Sequence, residues 1–291
     1  MTSTKSKEWI EEHIDSIDYQ GLAPQIQQHV LRMLEQAIAL SQSEQREEKQ
    51  AIHDLRVVFK RLRAYWQLMR FMVSKRVFEA ANQRIKLAAK LLGGQRDQQV
   101  LLDSLLMVSK QLKASEKAYA ELQISDWEQN LRATRKALSI QWPAILSSLQ
   151  LEHDVWASLN CEEDDPSPMQ KGVRKSLKRQ FKLAEKATLP STEMAERHRW
   201  RKWVKHVFYQ LRLLKKLGLK GQKKTVNRFD ELGEVLGLEH DMEVLFEFLQ
   251  AQEGQVEQAE NLKAIIKACR KQQAEFRKQA DRIHKSIVKQ K

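Results

Sequence analysis

Residues 53–70, HDLRVVFKRLRAYWQLMR, and residues 198–215, HRWRKWVKHVFYQLRLLK, are the two stretches of sequence that decide the fold. Each mixes basic and apolar side chains with the 3.6-residue period of an α-helix rather than the two-residue period of a strand. Neither contains Pro or Gly, so both predict long helices. Each opens with the spacing H-x2-R-x3-K, formed by His53, Arg56 and Lys60 in the first and by His198, Arg201 and Lys205 in the second.

A second pattern, L-G-x3-D-x2-V-L, follows each of these stretches. The first copy begins at Leu92 and contains Asp97, and the second begins at Leu236 and contains Asp241. The two patterns recur in the same order at offsets of 145 and 144 residues. Two patterns that recur in the same order at nearly the same offset predict an internal duplication.

Composition favours an all-α protein, because only 5 Pro and 9 Gly occur in 291 residues and strong helix formers dominate. We predict two tandem, pseudo-symmetric bundles of the four-helix type, with a basic surface or channel. The predicted organisation is an N-terminal segment at 1–23, a first repeat at 24–159, an acidic, Pro-containing linker at 160–168 and a second repeat at 169–291.

Helix-start and helix-stop signals divide these repeats further. Helices are predicted at about 24–40, 43–72, 75–92, from Arg96, from Pro143, and at 171–187, 191–217, 223–236, 240–250 and from Gly254 towards the C-terminus. Gly93–Gly94 is expected to end the third.

The net charge of +13 favours an acidic partner. Its distribution is uneven, since residues 197–228 contain twelve Lys or Arg and no Asp or Glu.

The sequence has no apolar run long enough for a transmembrane segment, and we expect no signal peptide. Cys161 and Cys269 match no metal-binding or redox spacing, so we expect thiols in a reducing cytoplasm. No cofactor, metal site or catalytic residue is predicted, and the oligomeric state is left open.

On a helical wheel the basic residues of each stretch fall on one stripe roughly 100° wide, and the apolar residues face away from it. The stripe continues for about 20 to 25 Å, which is too long for a single phosphate group. The candidate residues of the two stripes are His53, Arg56, Lys60, Arg63 and Arg70, and His198, Arg201, Lys205, Arg212 and Lys215. A further basic helix contributes Arg174, Lys178, Arg179 and Lys182.

These residue types suit a polymer of phosphates. Arginine grips phosphate oxygens with a planar fork, lysine acts as a mobile point charge, and histidine gains charge beside an anion. We therefore predict non-catalytic binding of a long polyanion, with inorganic polyphosphate as the first choice. A charge run is more often a solvated helix face, and that interpretation stays open.

The two motifs, each present twice, resemble those of the CHAD domain, the conserved histidine α-helical domain, over about residues 24–291. The resemblance implies paired helical bundles, binding of inorganic polyphosphate, and association with polyphosphate granules. It carries over to His53, Arg56, Lys60, Arg63, His198, Arg201 and Lys205, and more loosely to the helix at 174–182. Phe208 replaces the basic residue that usually precedes the tyrosine at Tyr209. The E-x-E-x-K signature of attached triphosphate tunnel enzymes is absent, so a stand-alone CHAD protein without catalysis is expected.

Four alternatives remain. The phosphate backbone of RNA presents similar chemistry. The pairs His53–Asp54, His153–Asp154 and His240–Asp241 resemble the dipeptide of HD-type metal phosphohydrolases. A basic helix with tryptophans could lie on an anionic membrane surface, and a purely helical interaction module needs no anion.

Overall fold

The computed structural model describes residues 2–14, 17–92, 95–137, 140–161, 165–218, 223–252 and 259–289. Within these ranges the chain forms eleven α-helices and no strand, which confirms the all-α prediction. None of the described helices is long and apolar enough to cross a membrane. The helices are α1 (Thr2–Ile14), α2 (Leu22–Gln42), α3 (Glu48–Met69), α4 (Lys75–Leu91), α5 (Gln95–Ser109), α6 (Ala114–Ala137), α7 (Trp142–Ala157), α8 (Ser167–Ala187), α9 (Met194–Lys216), α10 (Lys223–Ala251) and α11 (Ala259–Lys289).

The helices pack into two groups of four. One group contains α2, α3, α4 and α7, and the other contains α8, α9, α10 and α11. Helices α5 and α6 pack on each other and on α10 and α11 of the second group. Helix α3 contacts both α8 and α9, so the buried apolar side chains form one cluster that runs through both groups. The two halves of the chain are therefore interlocked.

Helix α3 shows how the sequence produces these elements. Leu55, Phe59, Leu62 and Trp66 recur at three- and four-residue spacing and are buried, so they form the apolar face. The helix begins after Glu47, whose carboxylate accepts hydrogen bonds from the amides of the next turn. It is shorter than the predicted 43–72.

Segment 1–23 lies outside both predicted bundles, yet most of it forms a helix that joins the core. Trp9, Ile10 and Ile14 are buried, and the Trp9 ring lies edge-on to Phe181 of α8, with 5.5 Å between centroids. These three apolar residues share one side of the helix, which gives the segment an apolar face. Helix α1 packs mainly on α8, so the N-terminus belongs to the second group of helices.

Helix α10 is continuous, whereas the sequence predicts separate helices at 223–236 and 240–250. Gly237 does not end it, because this residue is buried within the helix, where a Cβ added to it would lie 3.5 Å from the guanidinium group of Arg201. The glycine lies against the Arg201 side chain rather than at a helix end. By contrast, Gly218 has a φ of 105° and follows the last turn of α9, as a helix-ending glycine should.

Other predicted boundaries are met only in part. Pro143 lies in the first turn of α7, as expected. Helix α8 begins at Ser167 rather than at residue 171. Gly93–Gly94, residues 162–164 of the predicted linker and Gly254 lie outside the described residues. Both cysteines are buried and neither forms a disulfide.

Each group of helices also contains a buried polar network. In the first, Glu152 of α7 accepts hydrogen bonds from Trp66 of α3, Trp156 and Arg84 of α4. In the second, a bidentate pair joins Arg197 of α9 to Glu239 of α10 at 2.6 and 2.8 Å. Because an unpaired buried charge is costly, these partners fix how the helices approach one another.

The backbones of α8 and α3 approach each other closely at Gly172. A Cβ atom added there would lie 2.0 Å from the carbonyl oxygen of Leu68 in α3, which is far inside van der Waals contact. Only glycine allows these two backbones to approach so closely.

We predict that Gly172→Ala lowers the free energy of unfolding by about 1 to 3 kcal/mol or more, because the α3 backbone must move. Gly233→Ala is the matched control, since its added Cβ would meet only the flexible end of Lys205. The control should change stability by less than about 1 kcal/mol, the usual difference between Gly and Ala in a helix. Urea denaturation of both variants measures this, and equal losses would contradict the assigned contact.

Candidate functional site

A cleft opens where α3 and α9 face each other, and α5 and α10 form its sides. Its inner part has a volume of about 310 Å³. The basic residues that line it come equally from the two repeats, namely Arg56, Lys60 and Arg63 from α3 and Arg201, Lys202 and Lys205 from α9. Val100, His206, Tyr209, His240, Asp241 and Val244 complete the lining.

The cleft continues towards the beginning of α3 as an outer part of about 420 Å³. The two parts share Arg56, Lys60, Val100 and Asp241, so we treat them as one elongated central cleft. The outer part adds Lys49, Ile52, His53, Val57, Gln99 and Asp103. The described lining of the central cleft therefore contains seven Lys or Arg and two Asp.

Two glycines of α10 lie against the α9 cations, and Gly233 makes room for Lys205. A Cβ added at Gly237 would lie 3.5 Å from the Arg201 guanidinium group, and one added at Gly233 would lie 2.9 Å from Cε of Lys205. These positions are four residues apart and so lie on one face of the helix. The L-G motif of the second repeat thus contributes a surface over which Arg201 extends.

The α3 arginines are held by their surroundings. Arg56 donates a hydrogen bond of 2.8 Å to the carbonyl oxygen of Leu92, which fixes its side chain towards the cleft. Arg63 is half-buried, and burial lowers the pKa of its guanidinium group. A cation in such a partly dehydrated place interacts more strongly with an anion than one in bulk water.

Lys205 has carboxylate partners in this structure. Its Nζ lies 2.5 Å from Glu234 and 4.0 Å from Asp230, both on α10. Burial alone would raise the pKa of Glu234, but the hydrogen bond from Lys205 and the nearby Arg201 and Lys60 lower it overall. Any anion that uses Lys205 must therefore share it with, or take it from, Glu234.

Two histidines of this region, His206 and His198, have lowered pKa values and are neutral at pH 7. Burial, followed by the charges of Arg63 and Lys202, lowers the pKa of His206 to about 3. The ring of His198 lies tilted beside that of His240 with 4.4 Å between centroids, and burial lowers the pKa of His198 to about 4. Neutral imidazoles donate hydrogen bonds without adding to the repulsion between the lysines and arginines.

The structure does not bring every predicted residue to the cleft. His198 does not line the cleft, and its ring lies beside that of His240, which does. Arg70 lies over the rings of Phe71 and Phe78, and Arg212 lies over Phe208. Lys178, Arg179 and Lys182 of α8 are exposed, Arg174 is half-buried, Lys215 is exposed, and none of these five lines the cleft.

Conversely, three lining residues that the stripes omit are Lys202, His206 and Tyr209. Lys202 follows Arg201 directly, so it lies about 100° away on the helix and outside a narrow stripe. A cleft between two helices accepts side chains over a wider arc than one solvated face does. The side chain of Asp97 in the first L-G motif lies outside the described residues.

A metal site is not formed by the described residues, where no three His, Cys, Asp or Glu side chains are close enough to hold an ion. Of the three His-Asp pairs, two contribute to the lining of the central cleft, through His53 and through His240 with Asp241, and the third lies elsewhere. His153 lies near Glu35 and Asp154, whereas His240 lies in the cleft wall beside His198.

The fold and the motifs match a known family. The model of the CHAD domain family matches residues 25–250. The crystal structure of the CHAD domain from the plant Ricinus communis resembles this chain with a TM-score of 0.66 and 21% sequence identity, covering 94% of each chain. At this identity the likeness shows the fold alone. No curated protein sequence matches the chain.

Lys202 provides a test of the cleft's electrostatics. Burial and then Arg63 lower its pKa, with smaller contributions from Arg201, Lys86 and Arg199. Arg63→Gln should raise that pKa and leave less neutral amine at pH 8, so we predict slower acetylation of Lys202. Competitive labelling followed by mass spectrometry measures the rate, with the exposed Lys178 as internal reference. An unchanged relative rate would show that Arg63 and Lys202 do not face the same cleft.

Proposed function

The chain belongs to the CHAD domain family, and on this premise we propose that its central cleft binds inorganic polyphosphate without catalysing a reaction on it. The observation that carries the proposal is the convergence of Arg56, Lys60, Arg201 and Lys205, from two distant segments, on one cleft. Association with polyphosphate granules belongs to the same proposal.

The charge distribution supports an extended anion rather than a single phosphate group. Cations occur along the whole cleft, from Lys49 at the outer part to Lys205 at the inner part. An anion with regularly spaced charges can contact α3 and α9 at the same time. Each such contact is a charge-assisted hydrogen bond, and arginines such as Arg56 and Arg201 can make it bidentate.

The same lining favours polyphosphate over single-stranded RNA. A protein that binds single strands without reading their sequence usually stacks bases on aromatic side chains. Among the described residues that line the cleft, Tyr209 is the one Phe, Tyr or Trp. Trp66 and Trp200 are buried in the core.

We predict that Lys60→Gln with Arg201→Gln weakens polyphosphate binding by about tenfold for each charged contact removed. Binding is measured by isothermal titration calorimetry at two salt concentrations, and the double variant should also show a smaller salt dependence because fewer counter-ions are displaced. Far-UV circular dichroism checks that the helices remain.

The control is Lys178→Gln with Arg179→Gln, which removes the same charge from exposed positions of α8. It should change affinity much less, and an equal loss would mean that net charge rather than the cleft attracts the polymer. It also tests the sequence prediction that α8 binds. RNA that displaces polyphosphate readily, and is not displaced by it, would assign the cleft to nucleic acid instead.

A substitution of Glu234 is predicted to have the opposite effect on polyphosphate affinity. Because its carboxylate competes with the ligand for Lys205, Glu234→Gln should raise polyphosphate affinity by about two- to fivefold, the range of an exposed ion pair. Glu231→Gln is the control, since Glu231 pairs with Arg228 and does not line the cleft. If both variants raise affinity equally, the effect is one of net charge. If neither does, Lys205 does not bind the polymer.

A further inference from the structure

A separate concave pocket lies outside the central cleft, between α2, the outer side of α3 and the end of α9. It has a volume of about 270 Å³. We call it the side pocket, and its described lining is His29, Arg32, Met33, Gln36, Arg61, Lys216 and Leu217. None of these residues belongs to the basic stripes or to the central cleft.

The charges of the side pocket are of one sign. None of its seven described lining residues is acidic. Neither Arg61 nor Lys216 forms an ion pair with any residue that the structure describes. Arg32 donates only to the carbonyl oxygen of Gln28 in its own helix, at 3.3 Å. Three cations from three helices thus converge without a carboxylate between them.

This arrangement differs from a solvated helix face. Lysines and arginines spaced along one exposed helix point away from each other into water, whereas these three enclose one space from different directions. Convergence of like charges costs free energy. It also disfavours protonation of His29, which lines the same pocket. Burial, and then Lys216, Arg61 and Arg32, lower the pKa of His29 to about 4.

We propose that the side pocket is a second phosphate-binding site, which takes a compact anion of one or two phosphate groups. Its volume of about 270 Å³ is smaller than that of either part of the central cleft, and it has no elongated continuation among its described lining residues. Pyrophosphate is an anion of this compact kind. Arg61 supplies a planar fork, Lys216 a mobile charge, and Gln36 and His29 neutral hydrogen-bonding groups.

Two sources of phosphate are compatible with this chemistry. One is a free ion. The other is the end of a polyphosphate chain that leaves the central cleft past Tyr209. Burial raises the pKa of Tyr209 and of the neighbouring Tyr65, and the charge of Arg61 opposes this rise in both, so Arg61 lies near both side chains. The second source rests on the proposed function, and the first does not.

The test follows the His29 ring by NMR, with its resonances assigned from a His29→Gln variant. Binding of pyrophosphate should shift these resonances saturably and raise the pKa of His29, since an adjacent anion favours the protonated ring. The titration is repeated with orthophosphate and with long-chain polyphosphate. A response to the free ions assigns the pocket to a free anion. A response to polyphosphate alone, lost in Lys60→Gln with Arg201→Gln, assigns it to a chain that continues from the cleft.

Substitutions distinguish a specific binding site from nonspecific electrostatic attraction. Arg61→Gln and Lys216→Gln should each weaken the response by about tenfold, the loss of one charged hydrogen bond. Arg76→Gln and Lys110→Gln remove the same charge from exposed positions elsewhere and should leave it unchanged. The proposal is overturned if no probe shifts His29, or if the shift persists in Arg61→Gln and Lys216→Gln. Loss of polyphosphate binding in the cleft variant, with the His29 response to pyrophosphate retained, would separate the two sites.

Discussion

The contact of α3 with α8 and α9 is the constraint on which the rest of the structure depends. Gln210 of α9 is buried and donates hydrogen bonds to the carbonyl oxygen of Ala64 in α3, at 2.9 Å, and to Oγ of Ser176 in α8, at 3.0 Å. Gly172 brings the α8 backbone against Leu68 just beyond. With this side of α3 packed so closely, the long polar side chains on the next arc face α9 across a gap. The central cleft is therefore a consequence of how the two halves join.

Gathering cations at such a junction has a cost, and the protein offsets it locally. The carbonyl oxygen of Leu92 accepts a hydrogen bond from Arg56, Glu234 pairs with Lys205, and His206 stays neutral because its protonation is unfavourable there. Each of these three features lowers the electrostatic repulsion between the cations without filling the cleft. Arg197, by contrast, is buried and donates hydrogen bonds to Glu239, Asp281 and the carbonyl oxygen of Ala187, so it has a structural role. Whether a basic residue serves binding or folding thus depends on its partner rather than on its type.

The sequence predicts much of this, and the failures have physical causes. The spacing of apolar and basic residues in α3 and α9 is visible in the local sequence. It therefore predicts these helices and the cleft residues Arg56, Lys60, Arg201 and Lys205. The crossing point of two helices decides which residues of a stripe contact the partner helix. A helical wheel of one helix does not show where that crossing point lies. Arg70 and Arg212 continue their stripes beyond the crossing and end over aromatic rings. The sequence pattern does not predict the side pocket for the same reason, since its three cations come from three different helices.

The pairing of Lys205 with Glu234 bears on the kind of anion that the cleft selects. A single phosphate group would have to displace the carboxylate for one new contact, and the exchange of one anion for another on an exposed pair changes the free energy by only about 0 to 1 kcal/mol. A chain already held by Arg56, Lys60 and Arg201 arrives at Lys205 with a high effective concentration and displaces Glu234 without a further loss of translational freedom. The carboxylate thus weakens the binding of small anions more than that of long ones. By the same reasoning the side pocket, where no described carboxylate competes, suits a compact anion, so the two sites differ in the length of the phosphate chain they favour.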